Sequence, residues 1–135
     1  MNRAGDIAEL SFMLEAVKNN LDVFNPFSHS TKVDCIVMKA GGLPIRVQVK
    51  KGVRIKRCKR ATYKVVVGSC KSSTFKRGDK PRIARYSEND FDILAIDLGE
   101  HGFSFWKLED ICHQTTWRWN PTRPTNNWNI FKSLT

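Results

Sequence analysis

The spacing of apolar residues predicts that the chain begins with a helix and continues as several strands. Between Asp6 and Leu21 the apolar side chains recur every three or four residues, as in an amphipathic helix. Asp6 suits the first turn of that helix, where its negative charge meets the positive end of the helix dipole. The predicted buried stripe consists of Ile7, Leu10, Met13, Leu14, Val17 and Leu21.

Patterns typical of strands follow the helix. Residues 33–39 and 45–50 form a predicted hairpin, and residues 62–67 a third strand. The largely apolar run 90–98 predicts a central strand, with residues 102–108 as its hairpin partner. This order of elements predicts an α+β fold with a mixed central sheet and flanking helices.

The chain has 135 residues, of which 41% are hydrophobic, and shows no linker or internal repeat. We therefore expect one domain spanning residues 1–135, with a Trp- and Pro-rich tail at 112–135 that has little regular pattern. No apolar run approaches the roughly 18 residues of a membrane span, and no signal-peptide pattern precedes the helix. The protein is expected to be cytoplasmic and unsecreted, without a membrane partner.

The predicted hairpin carries polar residues on one face. A turn centred on Gly41 pairs residues whose numbers sum to 82, which sets Asp34 opposite Gln48. Lys50 then follows on the same face as Gln48, because side chains alternate along a strand. The simplest interpretation is an exposed polar face with an ordinary Asp and Lys contact.

The same residues also suit a metal site. Oxygen ligands from Asp34, the Gln48 amide and the Val49 carbonyl fit Mg²⁺ (or Mn²⁺), and Lys50 would orient a water molecule. Glu9 lies at the shoulder of the predicted apolar stripe, where an acid either remains at the helix surface or reaches over the sheet. If it reaches the sheet, Glu9 completes the site.

Charge indicates the partner. The net charge is +10, and residues 50–85 hold fourteen Lys and Arg against one acid, Asp79. That segment carries +13 and the remainder of the chain −3, so a polyanion, first of all double-stranded DNA, is the expected partner. A surface that serves solubility alone is the alternative. The predicted DNA-binding residues are Lys51, Arg54, Lys56, Arg57, Lys59, Arg60, Lys76, Arg77, Arg82 and Arg85.

A family resemblance rests on the order of these motifs. The stretches "GDIAEL", "VDCIV" and "RVQVKK" resemble the active-site segments of the PD-(D/E)xK nuclease superfamily. Among its members, the homing endonucleases associated with group I introns are the most similar, since they carry a QxK motif. The later segments "RYSENDFDILAID" and "FSFWKLEDI" also resemble this core, so the resemblance spans about residues 3 to 111.

The resemblance implies roles for single residues. It makes Asp34 the metal ligand, Gln48 the occupant of the second-acid position, Lys50 the catalytic lysine and Glu9 the helix acid. Two departures stand out: no proline precedes Asp34, and Gln48 leaves the site one negative charge short. Metal binding is then expected to be weaker, or limited to one ion, with a DNA phosphate as an additional ligand.

Three functions remain open at this point. The first is a site-specific homing endonuclease, the second a structure-selective nuclease such as a Holliday junction resolvase, and the third an inactive DNA-binding module. A chain with one active site cuts one strand, so a double-strand break requires a homo-oligomer, either a dimer or a dimer of dimers. The tail at 112–135 is the predicted oligomer interface or DNA contact.

Overall fold

The computed structural model describes residues 3–27, 32–71, 82–87 and 89–133, with backbone alone at 69–71 and 82–84. Its helices are α1 (Arg3–Lys18), α2 (Leu108–Ile111) and α3 (Ile130–Ser133). The first strands are β1 (Asp22–Phe24), β2 (Cys35–Met38), β3 (Ile45–Lys51), β4 (Val53–Arg54) and β5 (Tyr63–Val66). The later strands are β6 (Gly68–Lys71), β7 (Arg82–Arg85), β8 (Ile93–Asp97), β9 (Phe103–Lys107) and β10 (Thr116–Trp119).

A mixed five-stranded sheet forms the centre of the fold, in the order β1-β2-β3-β8-β9. Strands β3 and β8 are parallel, whereas the other neighbours in this sheet are antiparallel. Every residue of β8 is buried, as expected for a strand covered on both faces. The α+β fold with a mixed central sheet is therefore confirmed, as is the hairpin of β8 with β9.

The β2–β3 hairpin has the predicted register. Cys35 pairs with Val47 and Val37 with Ile45, so Asp34 lies level with Gln48. Gly41 has a positive φ of 74°, a conformation that glycine adopts without steric cost. The turn thus fixes which side chains of the two strands share a face.

Two hydrophobic cores lie on opposite faces of the central sheet. Alternate residues of β3 and β8, such as Val47 and Ile93, pack with α1. The other face of β8, with Leu94 and Ile96, packs with residues around β5 and β10, including Val65. Because β8 contributes side chains to both cores, it joins the two layers.

Helix α1 is present, and Met13 and Leu21 of the predicted stripe pack in the core, but the helix buries mainly a different face. Its buried residues are Ala8, Phe12 and Ala16. Ile7 and Leu10 of the predicted stripe are instead exposed, as are Leu14 and Val17. The small alanines let the helix approach the sheet closely, and Phe12 fills the space between them, with its ring 5.8 Å from that of Phe103.

The tail is more regular than its sequence pattern indicates, since it forms β10 and α3. Trp119 is 3% exposed, and the Trp128 ring lies 4.6 Å from that of Phe105 in the core beside α1. The Asn126 side chain accepts a hydrogen bond from the Phe103 N–H (3.0 Å), which ties the tail to β9. Trp119 and Trp128 therefore pack against the cores of the protein, and a role of the tail as an oligomer interface or DNA contact stays a prediction.

Across the described part of the chain, none of the helices combines the length and the apolar character needed to cross a bilayer.

Candidate active site

Asp34 lies immediately before β2 and is held against β3 by two hydrogen bonds. Its N–H donates to the Val47 carbonyl (2.8 Å), and its carboxylate Oδ2 accepts from the Val49 N–H (2.7 Å). Both bonds follow from the hairpin register, which brings Asp34 level with β3 where the ladder ends. The carboxylate is consequently fixed in place and only partly reached by solvent.

Glu9 of α1 meets Asp34 at this point, and their side chains share a hydrogen bond. Burial, followed by the charge of Asp34 and this hydrogen bond, raises the pKa of Glu9 from 4.5 to about 7. Burial also raises the pKa of Asp34, although the Val49 N–H, Glu9 and the positive charge of Lys50 oppose that rise. Two carboxyl groups that share one proton behave in this way, because like charges at close range disfavour double ionisation.

Gln48 lies level with Asp34 in the register of β2 with β3. The Oε1 atom is buried and has no hydrogen-bond partner. A buried acceptor without a donor is costly, so this oxygen is suited to a ligand that offers positive charge or a proton. The Lys50 ammonium is two residues further along the strand, and its charge acts on Asp34.

The oxygen atoms gathered here fit a hard divalent cation. The carboxylates of Glu9 and Asp34 and the amide oxygen of Gln48 are the ligand types that Mg²⁺ prefers. Within the residues that the structure describes, no group of three His, Cys, Asp or Glu side chains could hold a metal ion. The amide oxygen of Gln48 is a candidate ligand of a different kind beside the two acids. The ligand role of the Val49 carbonyl remains a prediction.

Tyr86 is a neighbour of the site that the sequence analysis missed. It is 5% exposed, its hydroxyl is buried without a hydrogen-bond partner, and its ring lies 4.7 Å from that of Phe91. Burial raises the pKa of this hydroxyl, and the negative charges of Asp34 and Asp90 raise it further. Tyr86 lies in the family-like segment "RYSENDFDILAID", but nothing in that segment indicates Asp34, so only the folded chain reveals that the two residues are close.

The predicted DNA-binding residues lie mostly on the surface. A loop at residues 55–62, which we call the basic loop, joins β4 to β5 and is closed by a hydrogen bond from the Ile55 N–H to the Thr62 carbonyl (2.8 Å). Exposed cations in and beside this loop are Arg54, Lys56, Arg57, Lys59 and Arg60.

Other predicted DNA contacts stand outside the basic loop. Arg85, at the end of β7, is exposed. Lys51 is also exposed, but its Nζ lies 3.4 Å from Oδ2 of the buried Asp97. Lys76 and Arg77, and the Arg82 side chain, lie outside the described residues.

Comparisons with known proteins show the family to which the chain belongs. The sequence matches the PD-(D/E)XK endonuclease family over residues 1–128, so the chain belongs to that family, whose members hydrolyse DNA and generally use divalent metals. A search of curated proteins found no match. The fold is similar to that of a bacterial homing endonuclease, I-Ssp6803I, with 20% identity and a TM-score of 0.71. The alignment covers 92% of this chain and 79% of that one.

Proposed function

We propose that this chain is a site-specific endonuclease of the homing type, which cuts duplex DNA with Mg²⁺ or Mn²⁺. The observation that carries this proposal is the unpartnered Oε1 of Gln48 on the strand that faces the Glu9 and Asp34 carboxyl pair. Three oxygens of this kind, with Lys50 nearby, form an arrangement able to serve hydrolysis of a phosphodiester. The fold shared with a bacterial homing endonuclease supports the choice among PD-(D/E)XK activities.

The protein side chains would act by holding charge in fixed positions. Asp34, restrained by the Val49 N–H, would present one carboxylate at the end of β3. Glu9 would give up the shared proton and supply a second negative charge, while Gln48 contributes a neutral oxygen. A divalent cation held by these groups would supply positive charge beside the scissile phosphate and lower the pKa of a water molecule.

Lys50 completes the arrangement on the DNA side. Its ammonium would orient the attacking water and stabilise the negative charge that develops on the phosphate oxygens. Because Lys50 is half-buried on β3, its position depends on the strand rather than on a mobile loop. The metal ligands and the lysine would therefore be set in place before DNA binds.

The basic residues supply affinity in this proposal. Phosphate contacts from the basic loop would position the duplex, and one or more arginines would read base edges. Two copies of the chain would be required for a double-strand break, because each copy has one candidate site. The proposed setting is a prokaryotic or phage-encoded protein, associated with a group I intron, that acts in the cytoplasm.

Incubation with long linear duplexes tests the function directly. The purified protein is mixed with a bacterial genomic DNA library in Mg²⁺, Ca²⁺ or EDTA, and the DNA ends are mapped by sequencing. We expect cuts at one or few positions, in Mg²⁺ alone. Preference for four-way junctions over linear duplex would instead identify a structure-selective nuclease. DNA binding without cutting in any metal would identify an inactive binding module.

A further inference from the structure

Helix α1 carries apolar side chains on two opposite sides. One side, centred on the fully buried Phe12, packs on the sheet. The other side presents four exposed residues, which we call the α1 stripe: Ile7 (61% exposed), Leu10 (63%), Leu14 (57%) and Val17 (58%). Isolated exposed apolar residues are ordinary, whereas four in one row on one helix form a continuous apolar surface.

The spacing within the α1 stripe is that of a helix-pairing seam. The intervals of three, four and three residues equal those between successive a and d positions of a heptad. Phe12 then takes the f position, on the side of the helix that faces away from such a seam. The helix can therefore pack on the sheet with one side and on another helix with the other.

We propose that the α1 stripe binds the α1 stripe of a second copy of this chain, with the two helices antiparallel. The midpoint of the stripe falls at residue 12, so a two-fold axis there sets Ile7 level with Val17 of the second copy. It likewise sets Leu10 level with Leu14 of the second copy. A C2 interface requires such self-complementarity, because the same patch is used twice.

Charge favours the antiparallel direction. Asp6 lies in the first turn of α1 and Lys18 in its last turn. An antiparallel pair brings Asp6 of one copy level with Lys18 of the other, and the two helix dipoles oppose each other. A parallel pair would set Asp6 beside Asp6 and Lys18 beside Lys18. Lys18 also contacts its own Glu15 (3.3 Å), but its side chain is 61% exposed and remains accessible.

The area of the stripe indicates the strength of the pair. Four aliphatic side chains, each about three-fifths exposed, offer roughly 300–400 Å² of apolar surface per copy. A standard stable interface takes about 800 Å² from each partner, so the stripe forms the apolar centre of a somewhat small interface. We therefore expect a dimer that dissociates in the micromolar range rather than a permanent one.

The pairing also bears on the active site, and this part rests on the proposed function. Glu9 lies between Ala8 and Leu10, so one helix carries both the active-site acid and the interface. Two copies joined through α1 would present two candidate sites, one for each DNA strand. The pairing would thus link the assembly to double-strand cleavage.

Sedimentation velocity of the full chain, without DNA, over about 1–100 µM tests the pairing. The variant is Leu10→Lys with Leu14→Lys, and the control is Leu43→Lys, which alters a leucine 67% exposed in the β2–β3 turn. We expect dimers for the wild type and the control, and for the variant a dissociation constant at least tenfold higher. Far-ultraviolet circular dichroism verifies folding; since both leucines are exposed, all three proteins should fold alike. A monomeric wild type at 100 µM, or a variant that associates like wild type, overturns the proposal.

A charge exchange tests the direction of pairing independently of the leucines. In the antiparallel pair, Lys18→Asp alone sets two acids level at both ends, and adding Asp6→Lys restores opposite charges. We expect the single variant to dimerise about tenfold more weakly at low salt, and the double variant to recover. In a parallel pair the single variant merely replaces one like-charge pair with another, so an unchanged dimer would contradict the antiparallel arrangement.

Cleavage products distinguish failure of the assembly from failure of the function. On a cleavable duplex the Leu10→Lys, Leu14→Lys variant should accumulate nicked DNA where the wild type produces double-strand breaks. If that variant is monomeric and still breaks both strands, the link to cleavage is wrong although the interface is right. If no protein cuts DNA, the proposed function fails while the sedimentation result stands.

Discussion

The β2–β3 hairpin and the basic loop at 55–62 hold the polar residues of this protein in contrasting ways. In the hairpin region, Asp34 accepts a 2.7 Å hydrogen bond, Gln48 Oε1 is buried, and Glu9 has a pKa raised to about 7. In the basic loop the cations are exposed to solvent. The hairpin groups are thus fixed and partly desolvated, whereas the loop groups remain in water.

The contrast indicates that chemistry and affinity occupy separate parts of the molecule. Desolvated, fixed groups are effective where charge develops during a reaction, because they act in a low dielectric without reorganisation. Exposed lysines and arginines instead release counterions when they approach phosphates, which supplies binding without positioning an attacking water. Substitutions in the two regions should therefore affect different measurements.

The largest expected effect is on cleavage. Asp34→Asn and Lys50→Ala should each lower the single-turnover cleavage rate by about 10³-fold or more, while DNA affinity stays within about threefold. Asp34→Asn retains an acceptor for the Val49 N–H, so the hairpin should fold normally. Rates come from quenched reactions with saturating protein, and affinity comes from fluorescence anisotropy in Ca²⁺.

Asp22→Asn on β1 and Lys132→Ala on α3 are matched controls, because both residues are exposed, carry the same charges and lie outside the Lys50–Arg85 segment. Both controls should cut DNA at the wild-type rate. If the Asp34 and Lys50 variants lose folding or DNA binding together with cleavage, the hairpin is a structural element rather than a catalytic one.

The second effect is on affinity. If about six to ten cations between Lys50 and Arg85 meet phosphates, affinity should fall roughly 10³- to 10⁵-fold between about 50 and 200 mM salt. Lys56→Ala with Arg57→Ala should flatten the double-logarithmic plot of affinity against salt by about one unit for each lost contact. The pair Lys76→Ala with Arg77→Ala should act likewise. At saturating protein, cleavage by these variants should remain near wild type.

Lys39→Gln with Lys132→Gln is a control that removes the same charge outside the basic segment, at two residues that lie together, since the Lys39 Nζ donates to the Lys132 carbonyl (3.1 Å). If this double variant flattens the salt plot as much as the Lys56 and Arg57 variant does, the effect is one of net charge. A flat plot for the wild type would remove the basic segment from the DNA interface.

The sequence was sufficient to predict the hairpin because two independent constraints agree there. The Gly41 turn sets the register, and period-two alternation sets the faces of β3, so Asp34 and Gln48 could be paired before the fold was known. The burial of β8 also follows from its apolar run. Local pattern decides such features, since each lies within a short stretch of chain.

The burial of α1 could not be predicted because the helix is apolar on both sides. Periodicity favours the richer side, with Leu10 and Leu14, but the sheet accommodates Ala8 and Phe12 instead. Glu9 lies at the edge of both the predicted and the buried side of α1, and it hydrogen-bonds Asp34, while its part in a metal site stays a prediction. The contacts of Tyr86 and Trp128 could not be predicted for a different reason. Their spatial neighbours, Asp34 and Phe105, are distant from them in the sequence.

Gln48→Glu tests whether the centre of the hairpin needs an amide or only an oxygen ligand. The change keeps the shape of the side chain and adds the carboxylate that is commoner in this family, so cleavage should persist within about tenfold of wild type. Metal affinity, measured by calorimetry with Mg²⁺ and Ca²⁺, should rise because of the added charge. Intact DNA binding with no cleavage at all would mean that the Gln48 NH₂ group is needed as a donor.

The smallest expected effect is on stability, and it depends on the shared proton of Glu9 and Asp34. The pKa of Glu9 rises from 4.5 to about 7 on folding, so the folded state retains a proton that the unfolded state loses. Stability from this group is then fully present below pH 4.5 and is lost as pH rises through about 7.

In EDTA, the melting temperature of the wild type should fall by a few degrees (~2–5 °C) between pH 5 and 8. Glu9→Gln should flatten this decline, whereas Glu109→Gln, an exposed control on α2, should leave it unchanged. Adding Ca²⁺ at pH 8 should restore wild-type stability but not that of Glu9→Gln, because the deprotonated pair binds the ion. If Glu9→Gln declines with pH as the wild type does, the two carboxyl groups are not coupled, and Glu9 lies outside the site.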